Sequence, residues 1–441
     1  MAGSSTNESL AETLFDALRA SLLNSSEIAA ARQGWLAARE NIETKTSTSD
    51  LKATLSVTGN QTHTNTPSNN GYKQSEYGSG DITVAKNLYD GGQMTANMKL
   101  AKIQLDQATA NYFATEQNVI LNSIEAYLNV LKSRRDVELN GSNLKRLHAH
   151  VNATRIRVEA GAVTPTRLAE AEARHARAKS NALVAATDLQ NAEDAYKSLT
   201  GLRAGDLTLP AKPENLPEQI GEAEKTAGSA HPHVQAALAA ERAADQAFNT
   251  LKAEVSPTLS LSLSASSKDA SEPSSDSDVI AGSVVFSTPI LSTNATRAKA
   301  RNVAASHQQA KYAHAEAVRS AEVHARAAFR TQETAKINLD AVQRELTASK
   351  LVAAGIASEA QFGQKTTLDL LDAEQDVNNA ELRLVTAFHD LQLAAYRLQA
   401  AIGGLTAESL GLGDVLGTLN DMPMPTDPFS TTFPFTRRTV E

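Results

Sequence analysis

Two carboxylates, Asp369 and Asp372, are of a type and spacing that could bind a cation. Residues three apart share one face of a helix, so both side chains project together near the start of the last long helical stretch. Acidic residues in a first helical turn also stabilise a helix through its dipole. The spacing alone therefore leaves two interpretations open, a cation-binding pair and an ordinary helix start.

The rest of the chain shows no catalytic or metal-binding motif. His148 and His150 are two residues apart and point to different sides of a helix, so they cannot hold one ion together. Ser142 and Lys145 form a Ser-x-x-Lys spacing in mid-helix without the motifs that accompany it in enzymes. Glycine-rich dinucleotide and phosphate loops and the HExxH zinc motif are absent from the sequence. We therefore expect neither an enzyme nor a bound cofactor or metal.

Composition excludes several other classes of function. The 441-residue chain has a formal net charge of −8, which argues against nucleic acid as a partner. It has no cysteine, which excludes disulfides, zinc–thiolate sites and a lipidated N-terminal cysteine. Its apolar runs fall far short of the ~18 residues of a transmembrane helix. The first residues have neither a basic nor an apolar region, so we expect a cytosolic chain or one whose signal peptide is absent from this sequence.

The last long helical stretch carries two rows of residues at an interval of seven, one aliphatic and one of alanine. This heptad pattern is typical of a helix packed along its length, and alanine at every d position predicts close approach of a neighbouring helix. At ~1.5 Å per residue, the stretch is on the order of 55 Å long. The rows are Leu370, Val377, Leu384, Leu391 and Leu398, and Ala373, Ala380, Ala387, Ala394 and Ala401.

The sequence repeats itself at a long interval. A shift of 202 positions carries Gly363 onto Gly161 and Ala373 onto Ala171. This indicates a tandem duplication rather than a short-period solenoid. We predict a first repeat over 1–204, a linker over 205–220, a second repeat over 221–404 and an extended C-terminal tail over 405–441.

Each repeat is predicted to contain a helix, a β-hairpin, a very long helix and a shorter returning helix. In the hairpins the apolar period changes to two, as where Leu55 and Val57 alternate with polar residues, and polar loops are expected over 61–80 and 266–278. The long helix and the returning helix form an antiparallel coiled-coil hairpin with a glycine-containing turn at its tip. The predicted bounds are 51–89, 92–159 and 165–201 in the first repeat, and 255–288, 294–353 and 364–402 in the second.

The two hairpins supply only four strands. Strands of about 9–12 residues match tilted membrane strands, although an ordinary half-buried hairpin has the same alternation. Four strands cannot close a barrel, and open sheet edges are not tolerated in lipid. If these are membrane strands, several copies of the chain must share one barrel.

This element order resembles the TolC-like outer-membrane efflux family, over about residues 10–412. The most specific local similarity is the segment 363–373, Gly-Gln-Lys-Thr-Thr-Leu-Asp-Leu-Leu-Asp-Ala, which is similar to the family's Gly-x-(Arg/Lys)-x-x-x-Asp-(Val/Leu)-Leu-Asp-Ala. The segment 161–166, Gly-Ala-Val-Thr-Pro-Thr, is similar to its first-repeat counterpart.

The resemblance implies a mainly α fold with membrane β-strands, in which tandem coiled-coil hairpins and two β-hairpins trimerise. Three chains form a 12-stranded β-barrel in the outer membrane of a Gram-negative bacterium, and an α-helical barrel continues it across the periplasm. It also implies passive transport in multidrug efflux or type I secretion, with a periplasmic adaptor and an inner-membrane RND or ABC pump as partners. A periplasmic coiled-coil scaffold or adaptor without a membrane barrel is the alternative.

The same resemblance assigns roles at the periplasmic entrance. Asp369 and Asp372 of three copies form a ring whose mutual repulsion raises some pKa values and which binds cations. Lys365 has the place of the family's basic gating residue. The chain departs from the family at Arg167, where an aspartate is found, so a latch of Arg167 with Glu170 or with the aspartate ring is the hypothesis for the closed state.

The tip turns are the surfaces that the resemblance assigns to the adaptor. Ala360 stands where some members have a gating tyrosine, which is a second departure. Glycine also ends helices, so the glycines have an ordinary structural explanation as well. The expected adaptor contacts are Gly161, Ala162, Val163, Phe362, Gly363 and Gln364.

Overall fold

The computed structural model describes residues 13–47, 50–66, 71–213, 216–270, 275–291, 293–362, 364–417 and 419. The helices are α1 (Leu14–Asn24), α2 (Ser26–Thr46), α3 (Gln93–Glu159), α4 (Pro165–Thr200), α5 (Ile220–Ala230), α6 (Pro232–Glu254), α7 (Asn294–Gln361), α8 (Thr367–Ala401) and α9 (Gly413–Leu416). The strands are β1 (Lys52–Thr66), β2 (Gly71–Tyr89), β3 (Thr258–Ala270) and β4 (Ser277–Ser287).

The order of these elements repeats once. Two helices, two strands, a very long helix and a shorter helix occur twice along the chain. The two long helices have 67 and 68 residues, and the two returning helices have 36 and 35. This near-equality is the expected result of a duplicated sequence.

The four strands form one antiparallel sheet in the order β1-β2-β3-β4. The central pairing joins the hairpins of the two repeats and places Val84 opposite Leu263. The outer pairings place Leu55 opposite Ile82 and Leu261 opposite Val284. Within the described residues, β1 and β4 each have one edge without a strand partner, so the sheet is open.

One face of this sheet is apolar and exposed. Directly opposed residues point to the same face, so the pairings collect most of the aliphatic side chains on one side and most of the serine and threonine on the other. Leu55, Val57, Leu263 and Ile280 are exposed on the apolar side. On the other side the Oγ atoms of Ser262 and Ser283 are hydrogen-bonded at 2.8 Å.

Strands β1, β2 and β3 are longer than the about 9–12 residues predicted, whereas β4 is within that range. Residues 61–80 and 266–278 were expected to be polar loops, but β1 and β2 reach 15 and 19 residues, and β3 and β4 reach 13 and 11. Polar side chains pair across the extended hairpin, as Gln61 Nε2 donates to Glu76 Oε1 at 2.7 Å. The loop prediction is wrong because it followed apolar alternation, which a strand without an apolar face does not show.

The chain divides into two compact units that do not coincide with the repeats. One unit contains residues 1–33, 110–235 and 316–441, and the other contains 34–109 and 236–315. Each unit therefore draws segments from both repeats. The second unit includes the whole sheet, because β2 and β3 pair across the duplication.

Alanine lines the packed side of the returning helices. Ala373, Ala380, Ala387 and Ala394 of α8 are buried, and so are Ala171, Ala178 and Ala185 of α4. This confirms the predicted close packing at the alanine row. In the aliphatic row only Leu398 is fully buried, and Leu370, Val377, Leu384 and Leu391 are half-buried. One chain therefore leaves much of this row without a complete packing partner.

The structure corrects two predicted boundaries. Helix α7 was expected to end near Ala353, but it continues through Gly355 to Gln361. One glycine costs a helix about 1 kcal/mol, which its alanine-rich surroundings offset. The described part of the C-terminal tail is also not extended, because Leu405 and Leu412 are fully buried in the main apolar cluster of the first unit. Glu116 Oε1 holds this segment by accepting a 2.8 Å hydrogen bond from the N–H of Ala407.

Candidate functional site

The first tip turn, residues 160–164, is a standard helix ending. The N–H of Gly161 donates to Val158 O, and the N–H of Ala162 donates to Arg157 O, the two bonds of a Schellman motif. Gly161 has a φ of +71°, a conformation that glycine adopts without strain. Gly161 and Ala162 are exposed and Val163 is half-buried, so the turn presents an accessible surface. Its contact with an adaptor stays a prediction.

The second tip turn joins α7 to α8. The N–H of Gln364 donates to Glu359 O at 3.0 Å, as the N–H of Ala162 does to Arg157 in the first turn. The ring of Phe362 is 79% exposed, which is unusual for an aromatic side chain and leaves it available to a partner. Gly363, the third expected contact, lies outside the described residues.

Asp369 closes the first turn of α8. Its carboxylate accepts hydrogen bonds of 2.8 Å from both the N–H and the Oγ1 of Thr366, and its own N–H donates to Thr366 Oγ1 at 3.2 Å. This capping box satisfies two otherwise unpaired groups at the helix start. The hydrogen bonds from Thr366 lower the pKa of Asp369, with smaller contributions from Lys365 and Arg167.

The pKa of Asp369 thus moves within one chain in the direction opposite to that expected of crowded carboxylates. The helix-start interpretation accounts for this residue, because its side chain is engaged with its own N-cap. A ring of carboxylates requires three chains, so it stays a prediction.

Asp372 takes part in a different contact. Its Oδ1 accepts a 2.7 Å hydrogen bond from Arg174 Nη1, which joins α8 to α4. Arg174 Nη2 also lies 3.4 Å from Glu170 Oε1, and Glu170 Oε2 lies 3.5 Å from Arg167 Nη1. These four residues form a chain of alternating charge, which we call the tip latch.

The structure brings several of the expected gating residues to one cavity. A cavity of about 280 Å³ lies where the end of α3, the start of α4 and the start of α8 meet. Val163, Arg167, Glu170 and Lys365 line it, whereas Asp369 and Asp372 do not. The Arg167–Glu170 contact was predicted, and the structure contains it.

Sequence reasoning missed Arg174, Arg157 and His150 at this cavity. Arg174 lies four residues after Glu170 on α4, which is the spacing of ion pairs on one helix face, so this signal was present in the sequence. His150 has a pKa below its usual value, chiefly because of burial and then because of the positive charge of Arg157. A neutral His150 at neutral pH adds a polar group to the cavity without adding charge.

Two further features are absent from the described part of the chain. No group of three or more histidine, cysteine, aspartate or glutamate residues is arranged there to hold a metal ion. None of the described helices is both long and apolar enough to cross a lipid bilayer.

Comparison with known sequences gives a consistent result. The family model described as outer membrane efflux protein matches residues 17–202 and 225–404, one match in each repeat. The outer membrane efflux protein BepC of Brucella suis biovar 1 is 30% identical over 411 residues, covering 91% of this chain and 88% of BepC. The outer membrane protein TolC of Escherichia coli K12 is 22% identical over 373 residues, covering 77% of this chain and 73% of TolC.

Solved structures share the fold. The CmeC outer membrane channel of Campylobacter jejuni matches with a TM-score of 0.78 at 16% identity, covering 89% of this chain and 86% of that one. The MtrE outer membrane channel of Neisseria gonorrhoeae, in its open state, matches with a TM-score of 0.72 at 22% identity, covering 89% of each chain. The mainly helical fold with a few strands and the tandem duplication are thereby confirmed. This chain belongs to the outer membrane efflux protein family.

Proposed function

We propose that three copies of this chain assemble into an exit duct that spans the outer membrane and the periplasm. The duct exports small molecules or secreted proteins passively, and it performs no chemistry. A chain of the outer membrane efflux protein family is a transport protein rather than an enzyme. A periplasmic coiled-coil scaffold without a membrane barrel is not favoured, because the relatives are outer membrane proteins.

The observation that carries this proposal is the open four-stranded sheet with one exposed apolar face. In water, an exposed apolar face with aliphatic residues such as Leu55, Val57 and Ile280 is unfavourable. In lipid the apolar face is in a favourable environment, but the backbone N–H and C=O groups at the free edges of β1 and β4 still lack hydrogen-bond partners. Pairing β1 of one copy with β4 of the next satisfies both requirements, and three copies supply twelve strands.

The helices support the same assembly. The alanine rows of α4 and of α8 are buried within one chain, while most of the aliphatic row of α8 is only half-buried. A neighbouring copy that packs against this row would complete its burial. This agrees with a continuous wall of helices that continues the barrel across the periplasm.

We assign the tip turns to docking and the tip latch to gating. A periplasmic adaptor contacts the exposed turns at Gly161 and Phe362 and connects the duct to an inner-membrane RND or ABC pump. In the latch, Arg174 ties α4 to α8 through Asp372, and loss of this tie opens the tip end. Asp369 and Asp372 of three copies form the cation-binding constriction, to which Lys365 lies close.

The test of the assembly is gel migration in detergent with and without heating. Purified protein should migrate as a trimer when unheated and as a monomer after boiling. A folded monomer in detergent-free buffer would contradict the proposal, because one chain would then satisfy its own sheet edges.

The test of the constriction is a planar-bilayer recording with a trivalent cation added on the tip side. We expect block of the conductance, and a weaker block when Asp369→Asn is combined with Asp372→Asn. The matched control combines Glu316→Gln with Asp340→Asn, two exposed acids of α7 that pair with Arg319 and Arg344. Equal block in both variants would exclude the aspartates from the constriction.

A further inference from the structure

The residues that line the tip cavity have an excess of positive charge. Arg157, Arg167, Arg174 and Lys365 line it, and Glu170 is the one carboxylate among its described lining residues. The formal net charge of the whole chain is −8, so this local excess of cations runs against the overall balance. Like charges that converge on one space repel each other, which favours a bound anion.

The existing ion pairs leave part of this charge uncompensated. Glu170 is shared between Arg167 and Arg174, and Asp372 contacts Arg174 from outside the cavity lining. Within the part of the chain that the structure describes, neither Arg157 nor Lys365 forms an ion pair within 4.0 Å, although Lys365 interacts electrostatically with the Asp369 carboxylate. Two of the four cations are therefore available to a ligand without breaking any described ion pair.

The backbone adds further donors. Thr366, Thr367 and Leu368 also line the cavity, and they form the N-cap and first turn of α8. The first N–H groups of a helix have no partner within the helix and lie at the positive end of its dipole. The Thr366 N–H already donates to Asp369, so an anion can accept from the N–H groups of Thr367 and Leu368 together with the guanidinium groups.

The size of the cavity limits the ligand. Its volume of about 280 Å³ is just below the ~300–1,000 Å³ that is usual for ligand pockets. A tetrahedral oxyanion with a few water molecules fits this space, whereas an exported drug-sized molecule would fill or exceed it. The cavity is therefore suited to a small ligand and not to the cargo.

We propose that the tip cavity binds a small, multiply charged oxyanion of the size of inorganic phosphate, held by Arg157, Lys365 and the start of α8. In this arrangement the anion competes with Glu170 for Arg167 and Arg174. The proposal concerns binding to a single chain, so it stands independently of the export function.

The test is calorimetric titration of inorganic phosphate into the full-length detergent-solubilised protein in low-salt, chloride-free buffer, with phosphorus NMR line broadening as a second measurement. We expect one saturable site per chain. Arg157→Gln and Lys365→Gln should each weaken binding about tenfold, the loss expected for one charge-assisted hydrogen bond. Arg330→Gln is the matched control, because Arg330 is exposed on α7 and has no described ion pair, and it should leave the affinity unchanged.

Glu170→Gln gives the sharper outcome. Removal of the competing carboxylate should strengthen phosphate binding several-fold. If phosphate were attracted only by the general surface charge, Glu359→Gln on α7 would strengthen binding equally. The proposal is overturned if neither method detects saturable binding. It is also overturned if Arg330→Gln weakens binding as much as Arg157→Gln, or if Glu170→Gln leaves the affinity unchanged.

Discussion

Replacement of Arg174 by glutamine should release the tip latch. The guanidinium contacts Asp372 at 2.7 Å, with the arginine side chain 27% exposed and the aspartate side chain 57% exposed. A partly exposed ion pair of this kind contributes about 0.2–1 kcal/mol. If three copies open together, the contributions add to about 0.6–3 kcal/mol, which changes the open-to-closed ratio by about 3-fold to about 150-fold.

Single-channel recording in planar bilayers measures this ratio as the open probability. We expect Arg174→Gln to raise the open probability within that range, and high salt to reduce the difference from the wild type because screening weakens exposed pairs. Asp372→Asn should have a similar effect, and the double variant should exceed either single variant by little, since both remove one interaction.

The control is Arg344→Gln. Arg344 pairs with Asp340 on the same helix, so its loss removes an ion pair without untying two helices. The latch is refuted if Arg174→Gln and Arg344→Gln give the same open probability as the wild type. Strictly additive effects of Arg174→Gln and Asp372→Asn would also contradict it, because independent residues do not form a tie.

Three further predictions concern stability and membrane insertion. Gly403→Ala should lower the free energy of unfolding by about 2–4 kcal/mol, because Gly403 has a φ of +78° and a Cβ there would lie 2.8 Å from the Cα of His231. Thermal unfolding followed by circular dichroism measures the change. Gly404→Ala is the control and should be close to neutral, because its Cβ would lie 3.5 Å from the nearest atom. Burial, with two neighbouring histidines, lowers the pKa of His231 from 6.5 to about 4. The folded state therefore binds fewer protons than the unfolded state, and stability falls as pH drops from 6.5 towards 4. The free energy of unfolding of the wild type minus that of His231→Asn should decrease over this pH range, and a constant difference would contradict the prediction. Leu263→Arg should make barrel folding into the membrane less favourable by about 2–4 kcal/mol if residue 263 lies near the bilayer midplane. Ser262→Arg, on the opposite face of the sheet, should be tolerated. Equal effects of the two variants would refute the assignment of the lipid face.

Periodicity made most of the fold predictable. The alanine row of α8 repeats every seven residues whatever its surroundings, so the packed face could be read from Ala373 to Ala394 without coordinates. The alternation around Leu55 and Leu263 identified the strands and their apolar face in the same way. These patterns are local, and secondary structure depends mainly on local patterns.

The features that were missed depend on long-range contacts or on polar residues. The outer halves of β1 and β2 contain glutamine, asparagine and threonine, whose pairing is decided by the partner strand and not by an apolar period. Arg174 meets Asp372 across almost 200 residues, so only the fold brings the two together. The burial of Leu412 similarly depends on helices that come from both repeats.

A disulfide between the two free edges of the sheet tests most directly whether β1 of one copy pairs with β4 of the next. The chain has no cysteine, so one introduced in β1 at Thr58 and one introduced in β4, scanned over Val279, Ala281 and Ser283, would be the two thiols present. Two strands separate β1 from β4 within one sheet, which places them about 14 Å apart at ~4.8 Å per spacing, too far for a disulfide, whose Cα atoms lie within about 7 Å.

If three copies close one barrel, oxidation in the outer membrane should link different chains, and denaturing gels should show species of two and three chains and none larger. A covalently closed monomer would show that one chain seals its own sheet. The absence of any crosslink at all three β4 positions would show that the edges do not meet between copies, and either result would contradict the assembly.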